Sequence, residues 1–103
     1  MADEKPNIHI EVDPDGNMKY YPKEFHTKRG KKIIWTCDNH PFAVQFLNIS
    51  PLEWTGPQHN NGGVLAGTVK NNTKFDTYMY ACAVYASGQV YLDAACPAII
   101  IDP

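Results

Sequence analysis

Residues 76–102, DTYMYACAVYASGQVYLDAACPAIIID, limit the folds open to this chain more than any other stretch. Successive side chains of a strand point to opposite faces, so Tyr78, Tyr80, Cys82 and Val84 fall on one face. Thr77, Met79, Ala81 and Ala83 fall on the other. Ala86, Ser87 and Gly88 supply turn chemistry, because glycine tolerates positive φ, and residues 89–92 are expected to return beside the first strand. Ile99, Ile100 and Ile101 form a β-branched run suited to a buried strand. A hairpin and a buried strand of this kind need further strands to cover them.

The upstream sequence offers them. Residues 7–12 (NIHIEV) alternate strictly, with Ile8, Ile10 and Val12 inward, and Asp13, Pro14, Asp15, Gly16 and Asn17 follow as a turn. In residues 20–27 (YYPKEFHT), Pro22 limits ladder pairing and suggests an edge or an irregular strand start. Lys28, Arg29, Gly30 and Lys31 are read as a solvated basic turn. Residues 32–37 (KIIWTC) place Ile33, Trp35 and Cys37 on one face, and residues 42–47 align Phe42, Val44 and Phe46. Residues 50–63 (SPLEWTGPQHNNGG) are too rich in proline and glycine for a long helix, and residues 64–69 form another short strand. No helix is expected. Seven or eight short strands with frequent turns predict an all-β, Greek-key sandwich or barrel, built as one domain over residues 1–103.

Composition narrows the function classes. A hydrophobic share of 44% against 19% charged residues belongs to a globular chain, and a net charge of -2 with mixed signs offers no stripe for nucleic acid. No apolar stretch approaches a membrane span, and residues 1–7 lack the apolar core of a signal peptide. The expectation is a soluble, cytoplasmic protein with no membrane or nucleic-acid partner. It would be periplasmic or secreted if an export signal has been removed.

The order of features has a further implication. A Tyr20-x-Pro22-x-x-Phe25 segment is followed by Gly30, Ile33-Ile34-Trp35 and, after a polar break, Phe42-x-Val44-x-Phe46. A Tyr78-x-Tyr80-x-Cys82 strand and a final hydrophobic strand complete the order. Together these resemble the cupredoxin fold, the plastocyanin and pseudoazurin type of sandwich, over roughly residues 7–102. The resemblance implies a copper site of two imidazoles and a thiolate, with a weak axial thioether. Cys82 matches the expected thiolate. After it, however, the chain has no His and no Met; His9, His26, His40 and His59 lie upstream, and Met79 precedes Cys82. Phe42 or Ala43 holds the position that would carry the first His, and His40 sits two to three residues early. The resemblance therefore implies the fold without a type 1 copper site and favours no cofactor.

Three alternatives follow from the remaining residues. The first is a non-enzymatic interaction or ligand-binding domain, its partner an unidentified protein or small ligand. Trp54, in the Pro-rich loop, is the candidate anchor for that partner, against the plainer reading of an indole folded back over the core. The second is a zinc- or copper-binding protein using Cys37, His40, Cys82 and Cys96, which would satisfy tetrahedral zinc or copper(I) if the loops bring them together. Inert buried cysteine is the default against it. The third is a cysteine enzyme in which His40 would serve as base for a nearby cysteine such as Cys37; the sequence marks no orienting group except the adjacent Asp38 and Asn39, and no catalytic residue is assigned.

Overall fold

The structure is a computed structural model, and it describes residues 6–37, 40–54, 58–59, 63–86, 88–92 and 97–103. Alternating β-branched and aromatic residues form strands wherever one face can be buried. In chain order these are β1 (Ile8–Val12), β2 (Met18–Tyr21), β3 (Glu24–Thr27), β4 (Lys32–Thr36) and β5 (Phe42–Phe46). There follow β6 (Gln58–His59), β7 (Val64–Thr68), β8 (Thr77–Ala86), β9 (Gln89–Leu92) and β10 (Ala98–Ile101). The described residues contain no helix, so none long and apolar enough to cross a membrane is found among them.

One sheet runs β2-β1-β4-β7; the other runs β3-β10-β8-β5-β6, with β9 also paired to β8. Two pairings, β1 with β4 and β10 with β3, are parallel. A parallel neighbour cannot be reached by a tight turn, so the chain crosses repeatedly between the sheets, as a Greek key requires. The ten strands among the described residues exceed the seven or eight expected for two local reasons. Pro22, after a cis bond from Tyr21, separates β2 from β3, and these belong to different sheets. The two-residue β6 lies in the irregular loop, where no periodicity can show it.

The inner faces meet in one core. Ile8, Ile10, Ile33, Trp35, Val44, Tyr80 and Ile99 are fully buried in it. Trp35 donates its indole N–H to the Tyr80 hydroxyl at 3.2 Å, and the two rings meet edge to face at 5.7 Å. This pair joins the sheets, since Trp35 stands on β4 and Tyr80 on β8.

β8 carries both the core and the surface described below. Its ten residues exceed any one neighbour. Along one edge β10 covers residues 77–79 and β9 covers residues 83–86; along the other edge β5 covers residues 80–84. The hairpin turn carries Gly88 at φ 76°, the left-handed conformation for which glycine is suited. Cys82 lies inside β8, opposite Val44, and pairing with β5 and β9 carries the strand on to Ala86.

Candidate interaction surface

The inner residues of β8 and β9, Tyr80, Cys82, Val84, Ala86 and Tyr91, belong to the core or pack against it. Period-two geometry then sends Met79, Ala81, Ala83 and Tyr85 outward on β8, and Val90 and Leu92 outward on β9. An antiparallel sheet with one solvated face usually shows polar residues there. Here Met79, Tyr85, Val90 and Leu92 expose 47%, 51%, 62% and 77% of their surface, and Ala81 and Ala83 form the floor between them. On β5 the same face holds Ala43, opposite Ala83, and Gln45, opposite Ala81.

The apolar surface continues past Met79. Leu47 donates its backbone N–H to the Met79 carbonyl at 3.1 Å, so the segment after β5 runs beside the start of β8. A groove of about 340 Å³ follows this line, between Leu47 and Ile49 on one side and Asp76, Tyr78 and Met79 on the other. Leu47 and Ile49 are themselves exposed. Tyr78 closes the groove and donates its hydroxyl to the Lys74 carbonyl at 2.8 Å. Burial, aided by the Asp76 charge, holds its pKa above the ordinary value, while the Arg29 charge opposes the shift.

Arg29 is more than part of a solvated turn. Its Nε donates to the Thr73 carbonyl at 2.6 Å, and its guanidinium lies 4.0 Å from the centre of the Phe75 ring. Reciprocal backbone bonds, Gly30 N–H to Val69 O and Val69 N–H to Lys31 O, each 2.9 Å, tie this turn to the β7–β8 connection. The basic turn, residues 28–31, thus runs beside residues 69–73.

Cys37 and Cys82 are both buried, and His40 is half-buried. The His40 N–H donates to the Cys37 carbonyl at 2.7 Å. Cys96 lies outside the described residues, as do Asp38 and Asn39. No three His, Cys, Asp or Glu side chains among the described residues come together to hold a metal ion. His9 contacts Thr36 Oγ1 through Nδ1 at 3.0 Å, and His26 pairs with Asp102 at 3.1 Å.

Trp54 is half-buried and turned inward. Its ring lies 6.2 Å from Trp35 and 5.8 Å from Phe46, and its N–H donates to the Ala66 carbonyl at 3.2 Å. Gly67 makes this seat possible, because a Cβ there would meet Trp54 Nε1 and Leu52 Cδ1 at 2.7 Å. Leu52 also bridges to Val69, so residues 52–54 are fastened along β7. Alternation alone carried a signal for the outer face that sequence reasoning missed: after Thr77, its outward half, Met79, Ala81 and Ala83, includes no polar residue.

Two mixed sheets, the strand order and the inward aromatic pair define an all-β sandwich with a cupredoxin-like fold. Among solved structures the chain is similar to a purple cupredoxin from Nitrosopumilus maritimus, with a TM-score of 0.54 and 14% identity. The match covers 91% of this chain and 98% of that one. At that identity the likeness concerns the fold alone. No family model matches the chain, and no curated protein sequence matches it.

Proposed function

We propose that this chain is a non-enzymatic interaction domain that uses the cupredoxin-like frame without a type 1 copper site. It meets another protein through the outer face of the β8–β9 hairpin. The carrying observation is that face itself: four large, mainly apolar side chains stand 47–77% in solvent around an alanine floor. The largest exposed apolar patch of a monomer, typically about 300–600 Å², is often a functional surface, and larger ones mark docking sites. The partner is a protein with an uncharged, apolar surface, because a charged one would lose hydration here without gaining an opposite charge.

The donor chemistry supports the copper-free reading. A type 1 site needs two imidazoles beside the thiolate, and the sequence after Cys82 supplies neither His nor Met. Cys82 faces the core from inside β8. Trp54 spends much of its ring on Trp35 and Phe46, which leaves it a smaller contact than the sheet face.

A docking face should be dispensable to the fold. The double substitution Val90→Thr with Leu92→Thr, unfolded in urea at low protein concentration, is expected to match the wild type within about 0.5 kcal/mol. A loss above about 2 kcal/mol would make these residues part of the core and remove the reading.

A further inference from the structure

Resting on the proposed interaction role, we infer that the protein docked on this face is a second copy of the same chain, related by a twofold axis. Three observations point to that occupant.

The first is charge. No outward position of β8 from Met79 to Tyr85, and none on β9, is ionisable below the tyrosine range. Among the described residues, ionisable groups lie only at the rim of this patch: Glu24 on β3 beyond β10, His59 on β6 opposite Ala43, and Asp76 in the groove beside Met79. A patch with no charge at its centre has little with which to select an oppositely charged partner, but it is matched by itself.

The second is area. The exposed fractions of Met79, Tyr85, Val90 and Leu92 amount to on the order of 500 Å², at the upper end of what a monomer usually shows. Leu47 and Ile49, continuous with Met79, bring the surface towards the roughly 800 Å² per partner of a standard interface.

The third is shape. Met79 and Tyr85 lie equally far from Cys82 along β8, at the two ends of the Ala81 and Ala83 floor. A twofold contact requires that if residue i meets residue j, then j meets i. An axis passing between Ala81 and Ala83 satisfies this by placing Tyr85 of each copy over Met79 of the other. Thioether and ring then pack together, a favourable contact. The alanines allow the two sheets to approach to about the 10 Å spacing of stacked sheets.

Sedimentation equilibrium of the intact chain, up to about 300 µM so that micromolar association is visible, tests the inference. The wild type is expected to dimerise. Ala83→Glu and, separately, Ala83→Lys should each weaken the dimer at least about tenfold, with unchanged far-UV circular dichroism. An equimolar mixture of the two should restore it, because the opposite charges meet near the axis. Val90→Lys, at a site already exposed, should weaken the dimer without risk to folding.

A wild type that stays monomeric overturns the inference. So does a dimer that persists in all three charged variants, since it would lie elsewhere. A monomeric wild type combined with neutral Val90→Thr and Leu92→Thr substitutions removes only the second copy and leaves the interaction role standing. Costly threonine substitutions remove both.

Discussion

Tyr85 and Val90 stand opposite one another across the β8–β9 hairpin, and both side chains face outward with 51% and 62% of their surface in solvent. The next pair in the ladder, Val84 and Tyr91, points the other way and packs in or against the core. One hairpin therefore serves two surfaces through strand alternation alone. Its inner residues hold the sandwich closed, and its outer residues are left for a partner.

The inner half of this arrangement depends on Tyr80. Its hydroxyl accepts the Trp35 indole N–H inside the core, so Tyr80→Phe leaves a buried donor without that acceptor. The expected loss is about 1–3 kcal/mol in urea unfolding. A variant as stable as the wild type would show that the bond between the sheets contributes little.

The acid limb of stability has a contribution from the β1–β2 turn. Asp13 accepts backbone N–H bonds from Asn17 and Asp15, and these bonds, that from Asn17 foremost, hold its pKa below the ordinary 3.8 despite some desolvation. A lowered folded pKa means that the unfolded chain takes up the proton first. The contribution is thus present above about pH 4 and fades as the pH falls through the folded value. Asp13→Asn should flatten this part of the stability profile, measured by thermal unfolding between about pH 2 and 6. An identical profile in both proteins would contradict the assignment.

Much of this fold was legible because burial writes itself into alternation. Ile8 and Ile10, Phe42 and Val44, and Tyr80 with Val84 all face the core as their spacing indicates. Strand pairing was less legible: that β8 takes β10 and β9 along one edge and β5 along the other is a tertiary matter that no local spacing shows. Arg29 looked like a solvated charge because its partners, Thr73 and Phe75, are more than forty residues away. The surface was half legible. The alternation assigned Met79, Ala81 and Ala83 to one face, yet only the register with Val90 and Leu92 shows that this face is apolar across two strands.

Metal chemistry gives a separate test. With no His or Met after Cys82, added copper(II) is expected to give none of the intense visible thiolate-to-copper absorption of a type 1 site. Elemental analysis after dialysis should find less than about 0.1 equivalent of zinc or copper. Stoichiometric metal that is lost in Cys37→Ser or Cys82→Ser would instead support the thiolate alternative, with His40 and Cys96 as further candidate ligands.

The central claim is that the outer face of β8 and β9 is where this chain meets another protein, its own copy first. Backbone and methyl NMR spectra, recorded as the protein is concentrated from about 20 µM to about 1 mM, test it most directly. The account predicts concentration-dependent shifts centred on Met79, Ala81, Ala83, Tyr85, Val90 and Leu92, with the β2-β1-β4-β7 sheet unchanged. Shifts centred on that sheet would contradict it, and spectra that do not change at all would remove self-association as its first use.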